Sequence, residues 1–168
     1  MSNVGKWDGW YGGVTLPEPY GEATTYYEAE KHLKGLSVED WGCGKGFFRT
    51  IHSGGYLGVD GSNTPYTDVI ADLTKYTSNA EGILLRHVIE HNSDWESILS
   101  NAVSSTDKLV LVLFTPMSRK TKQIAWNDIG VPDISFKHGD IVDIIGKCRW
   151  ETFYTDTIYK TERMYWKV

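Results

Sequence analysis

The residues that could do chemistry in this chain fall in three places. The first is Asp40-Trp41-Gly42-Cys43-Gly44-Lys45-Gly46, where three glycines alternate directly after a short apolar run. A loop built this way turns sharply and lets a ligand approach the backbone, because no side chains intervene. Asp40, just before it, could orient the loop or meet an ammonium group. The second place is a pair of acids, Asp60 and Asp72, each closing a short apolar run. The ionised carboxylate of Asp60 can accept both hydroxyls of a ribose, while the Asp60-Gly61 pair alone reads as a turn. The third is His87-Val88-Ile89-Glu90-His91. Either imidazole can accept a proton near neutral pH. The same letters spell H-x-x-E-H, in which two histidines one helical turn apart bind zinc and the glutamate is the base, with Glu162 conceivable as a distal ligand.

Spacing narrows the glycine loop. A dinucleotide fingerprint is G-x-G-x-x-G, whereas this loop is G-x-G-x-G. A phosphate-binding P-loop requires Ser or Thr after its lysine, and Lys45 is followed by Gly46.

The elements that must position these residues read as an alternation of strands and helices. Leu36–Trp41 is a strand leading into the loop, and Gly46–Ser53 a short helix whose first N–H groups are unpaired. Gly55–Asp60 is the second strand, which puts Asp60 about twenty residues past the first, where ribose-binding acids of nucleotide folds sit. Gly61–Thr67 is too short and polar for a crossover helix, so a loop is expected before a third strand at Asp68–Asp72. Gly82–Arg86 is the fourth strand. Trp95–Val103 follows as a helix with Trp95, Ile98, Leu99 and Val103 near helical spacing. Lys108–Phe114 is a continuous apolar run, as in a strand buried on both faces, and Pro116 ends it. Met117–Ser135 reads as a loop with at most a short helix. Gly139–Lys147 is an amphipathic helix, and Trp150–Tyr159 and Arg163–Val168 are two last strands.

Ahead of this core, residues 1–35 form an aromatic arm and a first helix. Pro17 and Pro19 and the lack of any period predict an irregular segment over residues 1–27. Its aromatics, Trp7, Trp10 and Tyr11 among them, either cover an edge of the core or form a wall or lid of the ligand site. Thr24 or Thr25 would cap a helix running through Leu33, with Gly35 as its stop.

The order of these features resembles the class I S-adenosylmethionine-dependent methyltransferases, in particular their small, type-11-like domains. The acid-x-G-x-G-x-G stretch from Asp40 to Gly46 is similar to that family's first motif, and Leu85–His91 to its H-V-L-E-H segment. The resemblance covers Leu36–Phe114 by motif and the remainder by architecture. It implies an α/β, Rossmann-like fold with a seven-stranded, mostly parallel sheet whose last strand is antiparallel. It also implies S-adenosyl-L-methionine as cofactor, held by Asp40, Gly42, Cys43, Gly44 and Gly46. Asp60 and Gly61 would lie at the ribose, Asp72 and Leu73 at the adenine, and Arg86 and His87 close by. His87 and His91 would be the catalytic candidates for a base, and no metal is expected. Trp41 and Lys45 depart from the family pattern, as do the missing second crossover helix and the lack of an appended substrate domain. Two other readings remain beside methyl transfer: a cofactor-binding protein without turnover, and the H-x-x-E-H zinc hydrolase, which would need a continuous helix.

The 168 residues, 40% of them hydrophobic, suit one folded domain spanning residues 1–168. A net charge of −5 argues against a nucleic-acid partner and for a small-molecule substrate such as a metabolite or sugar. The longest apolar run, Leu109–Phe114, is too short to span a bilayer, so no membrane partner is expected. Two cysteines and no signal-peptide pattern imply a cytoplasmic protein. Oligomeric state is not encoded in any of these patterns.

Overall fold

The computed structural model describes residues 3–14 and 17–168. Met1, Ser2, Thr15 and Leu16, part of the arm expected over residues 1–27, lie outside the described residues. Seven strands form the main sheet: β1 (Val38–Trp41), β2 (Tyr56–Asp60), β3 (Val69–Ile70), β4 (Gly82–Arg86), β5 (Leu109–Leu113), β8 (Cys148–Tyr154) and β9 (Thr161–Lys167). Their spatial order is β3-β2-β1-β4-β5-β9-β8. The first five pair in parallel, and β9 inserts antiparallel between β5 and β8. This is the fold of the class I methyltransferases, and the strands expected from the apolar runs are all present.

Alternation along the strands sends side chains to two helical layers. Ile83 and Leu85 of β4 and Leu109, Leu111 and Leu113 of β5 face one core, which α4 (Trp95–Ser105) and α5 (His138–Ile145) close with Ile98, Leu99, Ala102, Ile141 and Ile145. Leu84, Val110 and Val112 face the other, covered by α2 (Thr24–Leu33) through Tyr26, Ala29 and Leu33 and by α3 (Phe47–Ile51) through Phe48. Every residue of β4 and β5 is buried, as the continuous apolar runs require. Trp41, the bulky departure at the loop entrance, lies fully inside the first core, its Nε1 donating to Glu39 at 2.8 Å.

Three expectations are corrected. The arm is not irregular throughout: Val4–Tyr11 forms a helix, α1. Pro17 and Pro19 lie beyond its end, so they do not interrupt it, and none of its residues is fully buried, which leaves no apolar stripe to read. Neither Thr24 nor Thr25 caps α2. The Glu22 carboxylate does so instead, accepting from the Thr24 N–H at 3.0 Å and hydroxyl at 2.8 Å, while Gly35 ends the turn beyond the helix at φ +77°. Finally, Met117–Ser135 contains an antiparallel pair, β6 (Lys122–Trp126) and β7 (Pro132–Ser135). Strand β6 is almost wholly exposed and bulged between Gln123 and Ala125, so no alternation marks it. Its turn is set by Asn127 Oδ1, which accepts from the N–H groups of Ile129 and Val131 at 3.1 and 3.0 Å. The connection between β2 and β3 is a loop, as its composition predicts. Among the described residues, no helix is long and apolar enough to cross a membrane.

Candidate functional site

The chain leaves β1 toward β2 on one side of the sheet and reaches β4 on the other, so a crevice opens at the carboxyl ends of β1 and β4. The glycine loop lies there. Gly42, Gly44 and Gly46 all have left-handed φ, +78°, +46° and +73°, which is why the pattern demands glycine at alternate positions. Each also backs onto a different element. A Cβ would strike Val88 from Gly42, the Tyr11 hydroxyl at 2.6 Å from Gly44, and the Tyr66 ring from Gly46.

The loop borders a cavity of about 700 Å³. Gly42, Cys43, Gly44, Asp60, Gly61, Asp72, Leu73, Arg86, His87 and His91, expected from sequence, all line it. Asp40 and Gly46 do not. Asp60 Oδ2 accepts from the Gly44 N–H at 2.9 Å and Oδ1 from the Ser62 N–H at 2.8 Å, locking the loop to the end of β2. Burial raises its carboxyl above the usual range, against the pull of these two N–H groups. Asp40 sits behind the loop, accepting from the Tyr56 hydroxyl at 2.7 Å, and burial pushes its carboxyl up to about 7. Asp72 is exposed on the rim. It accepts from the Thr74 hydroxyl at 2.7 Å, which holds its carboxyl low.

Helix α1 closes the crevice from above. Asn3 donates to the His91 carbonyl at 2.9 Å, Trp7 packs on the His91 ring at 5.1 Å, and Tyr11 stands over Gly44. Burial, with Asp60 next in effect, raises the Tyr11 phenol, so it stays a donor. Lys45, the cation in the loop, is paired with Glu18 at 2.9 Å and lies 5.0 Å from the Trp10 ring centre. Trp7 and Tyr11 line the cavity, the placement that the wall-or-lid reading of the arm expects. Asn3 was not legible from sequence, since a lone asparagine before an unrecognised helix carries no signal.

Arg86 reaches the cavity edge, but its donors are spent on protein. It bonds Thr25 Oγ1, the carbonyls of Tyr20 and Glu22, and Glu162 Oε1, at 2.9, 2.9, 3.1 and 2.8 Å, and its guanidinium stacks 3.9 Å over Tyr26. His87, at φ +55°, also bonds Glu162 through Nε2. Burial, with Arg86 and His91 nearby, holds the His87 imidazole well below its ordinary range, and burial raises Glu162. The consistent arrangement is a neutral His87 donating to a carboxylate that Arg86 neutralises.

Glu162 therefore does meet the histidine segment, through the hydrogen bond to His87. His87 follows the strand in a left-handed conformation, and only a single 3-10 turn, Ile89–His91, comes after it. The continuous helix that the zinc motif needs is not formed. Among the described residues, no three or more metal-ligating side chains gather. Glu90 instead bonds the Phe114 N–H at 2.8 Å, and burial raises it to about 7. His91 keeps a different environment: Nδ1 is 3.0 Å from the Pro132 carbonyl and 3.4 Å from Asp133 Oδ1, while Nε2 has no partner among the described residues. Pro132 and Asp133 lie on β7, so the strand that sequence reasoning missed backs His91 without itself lining the cavity.

No family model and no curated protein sequence matches the chain. Solved structures do match, over nearly its whole length. One is the 1,6-didemethyltoxoflavin-N1-methyltransferase of Burkholderia thailandensis, with S-adenosylhomocysteine bound: 12% identity, 88% of this chain, 80% of that one, TM-score 0.66. Another is the magnesium protoporphyrin IX methyltransferase of Synechocystis with S-adenosylmethionine bound: 18% identity, 100% and 92% coverage, TM-score 0.63. A third is the 4+2 cyclase SpnF: 10% identity, 98% and 91% coverage, TM-score 0.62. At these identities the likeness is one of fold.

Proposed function

We propose that this protein is an S-adenosylmethionine-dependent methyltransferase acting on a small-molecule acceptor. One observation carries the reading. Glycine loop, Asp60, Asp72 with Leu73, and the histidine segment surround one cavity in the order of the strands that bear them. A volume of about 700 Å³ lies within the range of about 300–1,000 Å³ usual for ligand pockets.

The residues fit the cofactor. Each oxygen of Asp60 uses one lone pair on the loop, which leaves others for ribose hydroxyls. Asp72 and Leu73 offer an acceptor and an apolar surface for the adenine, and the Tyr11 hydroxyl beside Gly44 suits an anionic end group. When bound, S-adenosylmethionine supplies a methyl group made electrophilic by its cationic sulfur. The chain's part is to hold, orient and dry the site. Trp7 and Tyr11 on α1 cover the crevice, and their ring faces tolerate a cation while excluding water. Lys45 does not oppose that cation freely, because Glu18 neutralises it. The acidic chain and the small-molecule names of two structural neighbours support a small acceptor and not a nucleic acid. Free cysteines are consistent with a cytoplasmic setting.

Calorimetry with S-adenosylmethionine and S-adenosylhomocysteine, with NADH and ATP as controls, tests the cofactor. Tighter binding of NADH would overturn the assignment. Release of S-adenosylhomocysteine with a metabolite and sugar panel tests turnover. The second reading, a cofactor-binding protein without methyl transfer, draws on SpnF, which has this fold and is a cyclase. It requires binding without any such release.

A further inference from the structure

The two edges of the main sheet are not alike. Strand β3 is two residues long, too short to template another strand, whereas β8 runs for seven residues with no register shift and no proline. Arg149 to Thr152 are all exposed, and Tyr154 is 90% exposed, so β8 presents an open edge. Its ladder with β9 fixes which groups point outward. The Val168 N–H donates to the Lys147 carbonyl and the Thr155 N–H to the Lys160 carbonyl, both at 3.1 Å. Such bonded positions alternate in an antiparallel ladder. Arg149, Glu151 and Phe153 therefore turn their backbone groups to β9, and Cys148, Trp150, Thr152 and Tyr154 turn theirs outward.

The geometry points to a second copy of this chain as the occupant of that edge, paired antiparallel to it about a two-fold axis at Trp150. Charge selects the register. Arg149 and Glu151 share the face on which Phe153 packs against the α2 core, and neither has an ion-pair partner among the described residues. An axis at Trp150 sets Arg149 opposite Glu151 of the second copy, twice, in the closer, non-hydrogen-bonded kind of pair. An axis at Arg149 or at Glu151 would set like charges against each other, and one at Thr152 would leave both charges unmatched. The chosen register also lets Trp150 bond its own counterpart, and Thr152 bond Cys148 of the second copy, through their outward groups. Trp150 is 44% exposed, and His138 at 4.8 Å and Tyr165 at 6.2 Å hold its ring, which comes to lie beside its counterpart. The two seven-stranded sheets become one. A single strand pair lies at the low end of interface size, so the dimer forms in the micromolar range. The axis lies four strands away from β1 and its glycine loop, so the inference stands apart from the methyl-transfer reading.

The test is sedimentation equilibrium. Wild type at about 100 µM should show twice the 19.0 kDa chain mass and dissociate on dilution. Arg149→Glu or Glu151→Arg alone sets like charges at both pairs and should raise the dissociation constant at least about tenfold. The double variant, Arg149→Glu with Glu151→Arg, should return it to within about threefold of wild type. Only an interface that sets these two residues opposite each other produces that rescue. Thr152→Pro removes an outward N–H and leaves the ladder with β9 whole, so it should give a monomer with the wild-type circular dichroism spectrum. A monomeric wild type at about 100 µM overturns the proposal, as does a dimer that Thr152→Pro leaves intact. A double variant as weak as the single ones overturns the register.

Discussion

Replacing Asp40 by Asn separates a carboxylate that serves a ligand from one that is buried behind the loop. Asp40 is 4% exposed, and its Oδ2 accepts from the Tyr56 hydroxyl at 2.7 Å. Burial is the largest influence on it and Asp60 acts in the same direction, against Tyr56, Arg86 and His52, so the carboxyl rises from 3.8 to about 7. The folded protein thus holds this proton more tightly than the unfolded chain does. The stability it contributes is complete below the unfolded value and is lost as pH rises through about 7. At about 1.4 kcal/mol per pH unit, the loss is on the order of 4 kcal/mol. Asn carries no proton to lose, and its side-chain oxygen still accepts from Tyr56. Urea melts of wild type and Asp40→Asn from about pH 4 to about pH 8 should therefore diverge by that amount, in the variant's favour at the alkaline end. Parallel curves would refute the reasoning. Because Asp40 stands outside the cavity, affinity for S-adenosylhomocysteine should change by less than about threefold. A loss above about thirtyfold would return Asp40 to direct contact with the ligand.

Glu90→Gln should behave alike: burial raises Glu90 from 4.5 to about 7, so melts of the variant and wild type should diverge by on the order of 3 kcal/mol across that interval. Asp60→Ala removes the acceptors for two ribose hydroxyls, and calorimetry should show S-adenosylhomocysteine binding weakened by about 1–3 kcal/mol; unchanged affinity would move the ribose elsewhere. Deleting residues 1–13 removes α1, none of whose residues is fully buried, so the thermal midpoint should hold while S-adenosylhomocysteine binding weakens and transfer to any acceptor is lost. A sharp fall in thermal midpoint would instead make α1 core packing, and equal turnover would remove its role as a lid.

What the sequence made legible follows from burial. Strands β4 and β5 are buried along their full length, so their apolar runs mark them within a residue of the observed bounds. The three glycines are legible because each occupies a backbone conformation that other residues rarely adopt. The place of Asp60 on the cavity was legible because it ends a strand in a topology that gathers strand ends around a crevice. Helix α1 and β6 escaped for the opposite reason. Their stability comes from contacts on one irregular surface, with no interior face to impose a period. Asp133 escaped with them: on an unrecognised strand it is one acid among 22 acidic residues, and nothing local ties it to His91.

Arg86 shows how motif and scaffold divide the work. Its place at the end of β4 made it a ligand candidate, yet four of its five N–H groups are taken by the arm, α2 and β9. Such a cluster is expensive to bury, and removing one member commonly costs about 3–5 kcal/mol because the others are left uncompensated. What it secures is placement. Through Glu162 it fixes His87, through the Tyr20 carbonyl it fixes the arm, and Tyr20 in turn stands 5.9 Å from the His87 ring. The floor of the crevice is therefore set by backbone geometry at the glycine loop, where only residue type matters. Its upper wall is set by long-range polar ties between elements about 60 to 90 residues apart in sequence, such as Arg86 to Glu162 and Asn3 to His91. The first kind of information is written locally, and the second exists only once the chain has folded.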